Sequence, residues 1–358
     1  MDFLPTDDEV MLRDSARRAL ADAGTGAGDR WPVFTELGWL MAALPEAVDG
    51  LDGGPRAAAI LAEELGRVLA PEPYVDVAIT AAQALLDHAP DLVSGIAAGE
   101  TRIVFAHSEA EARGEPGWIG TQARPDGDGF RLTGIKTGII GGTDAERLLV
   151  SAVVPDAGPT LFLLSPDTGE RLAHELIDGR IAIELRLADT WVDRASVVGP
   201  VGGAAPAIVR AFDHALVIGS AEALGTMQAA FDLTRDYLLT RRQYGVLIGD
   251  FQALRHRLAD MFVELEQARS IVARGVDALA NAAPLERAMM AAATKARTAQ
   301  AGRFVTSQAI QLHGGIGVTQ EYPVGNMFTR LVAFDLRYGA ADAHVGRFAR
   351  LSREARAA

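Results

Sequence analysis

Apolar positions recur at helical spacing in residues 10–22, 31–42 and 56–69, which predicts three amphipathic helices. The glycine-rich stretch PEAVDGLDGGP divides the second from the third. Beyond residue 98 the pattern shortens. RIVFAHS, GWIGTQARP, GFRLTGIKTGII, RLLVSAVV, TLFLLSP and IAIELRLADTWV are β-branched or alternating runs, broken by turn formers such as PDGDG and PDAG. They predict antiparallel strands of a sandwich or barrel. From Pro206 the helical spacing returns: Phe212, Leu216, Ala223, Met227, Phe231 and Leu238 form one stripe, and Phe251, Leu254, Leu258, Met261, Leu265 and Val272 a second. An alanine-rich segment from Pro284 to Leu312 gives a third helix, and Leu331, Phe334, Tyr338, Ala341, Val345 and Phe348 a fourth. One buried seam per helix is the pattern of an antiparallel four-helix bundle. The expected fold is thus α+β and multidomain: a helical domain over 1–98, an antiparallel β-domain over 99–203 and a four-helix bundle over 204–358.

Charge and composition narrow the function. The 358 residues carry 34 Lys+Arg against 47 Asp+Glu, a net charge of −13, so no long-range field collects nucleic acid or anionic lipid. A phosphate-bearing ligand needs local donors instead. With no cysteine, disulfides, thiolate nucleophiles, iron–sulfur clusters and cysteine zinc sites are excluded. His256 and Asp260 share a helix face without a third ligand, so no metal is expected. The acidic, amphipathic start resembles neither a signal nor a transit peptide, and no segment has the apolar length of a membrane span; a cytoplasmic protein is expected. No GxGxxG follows a strand and no GK[ST] phosphate loop occurs.

One stretch breaks the helical pattern in an informative way. QLHGGIGVTQEYP, residues 311–323, ends a helix with Gly314 and Gly315, as a C-terminus prefers, but a glutamine and a histidine precede them. Taken with Arg241-Arg242-Gln243-Tyr244-Gly245, Phe251-Gln252 and EYPV, and with LPEAVDGLDGG, EELGRVLAPEP and DGDGFRLTGIK earlier in the chain, this resembles the acyl-CoA dehydrogenase family along the whole length. The resemblance implies helical, β and four-helix-bundle domains in that order. It also implies FAD held between subunits, with ring and acyl-CoA in one protomer and the adenosine diphosphate end gripped by its neighbour's bundle. Arg241 would then meet the pyrophosphate, Tyr244 would pack by the adenosine, Gln252 and Gln311 would hydrogen-bond, and Gly314 and Gly315 would admit close backbone approach.

The reaction of that family needs a carboxylate to remove the α-proton of a thioester and a flavin to accept hydride. Where the resemblance places the glutamate, this chain has Tyr338 or Gly339; at the alternative place on the first bundle helix it has Ala215. Asp213 and His214 adjoin Ala215 but are turned away by the helical rotation. In FAHSEAEARGEPGW, Ser108-Glu109 keep part of the flavin-facing loop while the Gly-Ser-Asp is missing, and Gly138 and Ile140 stand where an aromatic residue and a threonine cover the ring. The pattern resembles the base-less subunit of actinobacterial-type heterotetramers that act on bulky thioesters such as steroid side-chain CoA esters. The implied partner is a related subunit carrying the Glu, with acyl-CoA bound in a dimer or α2β2 tetramer. Two other readings stand beside this one: a homomeric dehydrogenase whose base is Asp342, His344 or Glu109, and a scaffold binding neither flavin nor thioester.

Overall fold

The computed structural model describes residues 5–22, 30–319 and 321–357. Helix α1 (Asp7–Asp22) opens with a reciprocal cap, in which Glu9 N donates to Thr6 Oγ1 (3.3 Å) and Thr6 N to the Glu9 carboxylate (2.9 Å). Helix α2 (Trp31–Glu36) stops well before residue 42, because the chain turns at Gly38, where φ is 70°. Trp39 and Leu40 supply the helical spacing beyond it, but they are buried from turns. Helix α3 (Gly54–Arg67) follows. A π-helix over Val75–Ala81 runs into α4 (Ala82–Leu85), and α5 (Pro90–Ala97) closes the helical region. The π-helix is buried on every side, so its sequence has no polar face to betray it.

Eight strands form one sheet: β1 (Ile103–Ala106), β2 (Gln122–Asp126), β3 (Gly129–Ile140), β4 (Arg147–Val154), β5 (Gly158–Leu164), β6 (Glu170–Glu175), β7 (Ile181–Asp193) and β8 (Val197–Val198). The order is β6-β7-β3-β2-β4-β5-β8, with β1 beside β4. The sheet is mixed, a correction to the all-antiparallel expectation: β1 runs parallel to β4, Ile103 opposite Arg147, and β2 meets β4 in one parallel pair. The intervening β2–β3 hairpin gives the long connection that a parallel pair needs. In the β3–β7 ladder the register shifts between Lys136 and Ile139, and Lys136 is fully buried.

The C-terminal region contains α6 (Ala205–Thr240), α7 (Gln252–Asn281), α8 (Pro284–His313), α9 (Val324–Leu336) and α10 (Ala341–Ala357). The alanine-rich α8 packs on all four others. The expected fourth helix is divided into α9 and α10 by an elbow at 337–340, where Tyr338 and Gly339 have φ of 59° and 98°. Asp335 accepts from Ala341 N (3.0 Å) and so caps α10 across the break. Helices α3 and α6 cross where Gly66 faces the backbone of Glu222 and Gly225 that of Glu63, contacts that leave no room for a Cβ. Among the described residues no helix is long and apolar enough to cross a membrane.

Candidate functional site

A cavity of about 480 Å3 opens where the loop after β1, the middle of β3, Phe212 of α6 and the α9–α10 elbow meet. The loop is anchored from inside the sheet. Lys136 Nζ donates to Glu109 Oε1 (2.6 Å), to the His107 carbonyl (3.2 Å) and to Ser151 Oγ (3.0 Å). Thr121 N and Oγ1 also donate to Glu109 Oε1 (3.1 and 2.8 Å), and Gly120 N donates to Oε2 (3.0 Å). Burial alone pushes the Glu109 carboxyl up, yet Lys136 and the Thr121 donors outweigh it and hold the group below the ordinary carboxylate range. Burial brings Lys136 down to about 8, against the pull of Glu109. It also brings His107 down to about 3, with Lys136 adding to the effect, so the imidazole is neutral. Ser151 Oγ, which accepts from Lys136, is also hydrogen-bonded to His107 Nδ1 (2.8 Å).

The opposite wall is the elbow. Tyr338 packs edge-on to Phe212 (centroids 5.6 Å) under the Arg337 guanidinium (4.6 Å), which donates to Tyr338 Oη (3.0 Å) and pairs with Asp76. His344 Nε2 donates to the Tyr338 carbonyl (2.9 Å). Gly339 lies against the loop: a Cβ there would stand 2.8 Å from Gly114 Cα and 3.0 Å from the Arg113 carbonyl. Among the described residues, carboxylates reach the cavity lining only from Glu109, held by Lys136, and Glu115, paired with Arg350.

Ala215 does not face this cavity. It lines a separate void of about 20 Å3 with Arg180, Glu222, Lys295, Arg330 and Phe334, and Tyr338 borders both spaces. Arg330 donates to Glu222 (3.0 Å), to the carbonyls of Leu69 and Ala70 (3.1 and 3.0 Å), and pairs with Asp178 (2.9 Å), which also holds Arg180 (2.7 Å). Lys295 donates to the Phe334 carbonyl; burial lowers it to about 7, opposed by Asp335. Asp213 is buried between Arg287 (3.1 Å) and Arg347 (3.2 Å). His214 and His344 are pushed down, mainly by burial, to about 3 and about 4. Asp342 is exposed and outside the cavity lining. Ile140 is buried, whereas Gly138 lines the cavity with open space where a side chain would be.

The other predicted residues gather at one end of the bundle. After α6, Arg241 leads into the hairpin of β9 (Arg242–Gln243) and β10 (Val246–Leu247), turned by Tyr244 and Gly245 at φ of 51° and 82°. Gln252 starts α7, and the antiparallel α8 returns beside it, Arg257 donating to Gln308 (3.1 Å). His313 stacks on Tyr237 of α6 (4.5 Å), fixing Gln311, Gly314 and Gly315 at this same end. Arg241, Gln252 and Gln311 are exposed, and Tyr244 is 93% exposed. The Arg241 side chain has no carboxylate partner among the described residues. A Cβ on Gly314 or Gly315 would meet nothing within 4 Å, so the backbone there faces open space, not another part of this chain. Leu239, Phe251, Ile316 and Val318 make the surroundings apolar and exposed. The sequence pattern marks Phe212 as a core position and does not single out Lys136, Ser151, Gly114 or the Arg330 network. A lysine at an inward position of an alternating strand was the available signal for Lys136. No three metal-ligating side chains gather among the described residues.

Two family models match: acyl-CoA dehydrogenase, N-terminal domain, over residues 6–91, and acyl-CoA dehydrogenase, C-terminal domain, over residues 205–352. Acyl-CoA dehydrogenase FadE27 of Mycobacterium tuberculosis is 30% identical over 343 residues, which covers 90% of this chain and 87% of the relative. A variant of the Tcur3481-Tcur3483 steroid ACAD superposes with a TM-score of 0.87 at 30% identity, over 98% of this chain and 99% of its own. The ChsE4-ChsE5 complex from Mycobacterium tuberculosis gives 0.88 at 26% identity, over 99% of each.

Proposed function

The chain belongs to the acyl-CoA dehydrogenase family, and from that premise we propose that it is the base-less subunit of a heteromeric, FAD-dependent dehydrogenase that desaturates an acyl-CoA thioester. It lends a partner the adenosine-diphosphate half of the FAD site. The observation that carries this reading is the contrast between its two sites. At the elbow, Glu109 is buried on Lys136, Glu115 is paired with Arg350 and Gly339 is closed by Gly114, so among the described residues every carboxylate lining the cavity has an ion partner. At the bundle end, Arg241 is exposed without a carboxylate partner among the described residues, and the space above Gly314 and Gly315 is open.

The residues fit FAD at its adenosine end. Arg241 would take the pyrophosphate, Tyr244 the adenosine, and Gln252 and Gln311 its polar edges. FAD, when bound, supplies the hydride acceptor for the desaturation. The ring end fits poorly within this chain, since Gly138 offers no cover and Ile140 turns its side chain into the core. The likeness to the ChsE4-ChsE5 complex and the Tcur3481-Tcur3483 steroid ACAD supports a heteromer and a bulky, steroid-like thioester. The exposed apolar side chains around Tyr244 support burial by a partner subunit.

Purified alone, the chain is expected to carry far less than one flavin per protomer. Co-expression with a related subunit that carries the glutamate should restore flavin and desaturation together, and replacing that partner's glutamate by glutamine should abolish turnover. A lone chain with stoichiometric flavin and activity refutes the proposal.

A further inference from the structure

A second cavity, of about 530 Å3, lies where α1, α3, α6 and α7 meet and shares no lining residue with the cavity at the elbow. Its floor is aliphatic, with Ile60, Leu224 and Val276 from three helices. Ala221 and Ala273 contribute only methyl groups there, so the facing helices leave the space between them unfilled. The volume is that of a site for a drug-sized ligand.

Its rim is polar, and every arginine on it but one has a carboxylate partner among the described residues. Arg56 pairs with Glu9 (2.9 Å), Arg17 with Glu64 (2.6 Å), Arg67 with Asp232 (3.2 Å) and Arg269 with Glu63 (3.0 Å). Asp277 accepts from the Asn281 side chain (3.1 Å). Arg13, on the inner side of α1, is half-buried and has neither ion pair nor hydrogen bond among the described residues. A guanidinium presents paired N–H donors that match a carboxylate, and one unanswered cation calls for one negative charge. A polyphosphate would set further charge against Glu9, Glu63 and Asp277. An uncharged ligand would leave Arg13 unanswered, and a purely polar one would leave the floor uncovered.

We infer that this cavity binds an amphipathic monocarboxylate, its aliphatic or alicyclic body on the Ile60–Leu224–Val276 floor and its carboxylate on Arg13. The inference does not depend on the subunit role above.

The test is fluorescence titration of the full chain with parinaric acid, a fluorescent long-chain polyene acid, and in parallel with its methyl ester. Saturable binding at one site per chain is expected, with the acid preferred over the ester. Arg13→Gln should weaken the acid by about 10-fold or more and leave the ester unchanged, the loss of a charge-assisted hydrogen bond. Ala273→Trp should abolish both, and Ala221→Phe serves in its place if circular dichroism shows that the tryptophan variant does not fold. Equal affinity for acid and ester, indifference to Arg13→Gln, or binding that survives the filled cavity would overturn the inference. So would displacement of the probe by a partner subunit, which would assign this face to protein contact.

Discussion

Restoring a glutamate at Gly339 tests whether the elbow can be made catalytic. The backbone φ of 98° at this position is one that an L-residue adopts only under strain, costing roughly 1–3 kcal/mol. The new Cβ would lie 2.8 Å from Gly114 Cα, 3.0 Å from the Arg113 carbonyl and 3.3 Å from His344 Nε2. Two of those neighbours are backbone and cannot swing aside as a side chain would. Overpacking of this kind costs about 1–3 kcal/mol more. Gly339→Glu is therefore expected to destabilise the chain by about 2–6 kcal/mol, and Gly339→Ala by much of the same amount, because strain and clash begin at Cβ. Urea denaturation of each variant measures the loss. Neither variant should desaturate acyl-CoA when the partner's glutamate is replaced by glutamine. If Gly339→Glu folded with native stability and turned over substrate with that inactive partner, the elbow would be an open site and the account of it would fail.

Lys136→Met should cost about 3–5 kcal/mol in the same assay, since it strands the buried Glu109 carboxylate, and adding Glu109→Gln should recover part of the loss. Arg241→Ala should lower flavin retention in the assembled complex by roughly 1.5–3 kcal/mol without changing the melting temperature of the chain. Arg242→Ala should lower it less, and equal flavin content in the two variants would mean that Arg241 does not meet the pyrophosphate. The pH dependence of stability should carry a mark of Lys295. The unfolded chain keeps this proton to about pH 10.4, whereas the folded chain releases it near 7. Between those values the unfolded state binds more protons, so this group makes stability rise with pH. Denaturation of wild type and Lys295→Met from pH 6.5 to 10 should show the steeper rise in wild type; parallel profiles would refute the assignment.

The order of helical, β and helical regions was legible in the sequence, because hydrophobic period is a local property that each element must satisfy against its own neighbours. That Arg241, Tyr244, Gln252, Gln311, Gly314 and Gly315 lie at one end of the bundle was legible for a related reason: they sit in short, contiguous motifs at helix ends. The structure brings those ends together simply by folding the bundle back on itself. The division of α9 from α10 was not legible, since Leu331 to Phe348 keep helical spacing through a turn that only the packing of Gly114 on Gly339 and the cap from Asp335 impose. Nor were the partners of the buried titratable groups. Glu109, Asp213 and His344 look alike in sequence as titratable groups near a site. Their availability was decided by partners 27, 74, 134 and 6 residues away, Lys136 for the first, Arg287 and Arg347 for the second and the Tyr338 carbonyl for the third. The parallel β1–β4 pairing and the two cavities are of the same kind. Pairing, burial and empty space arise from contacts between segments distant along the chain, and the chain's local pattern does not encode them.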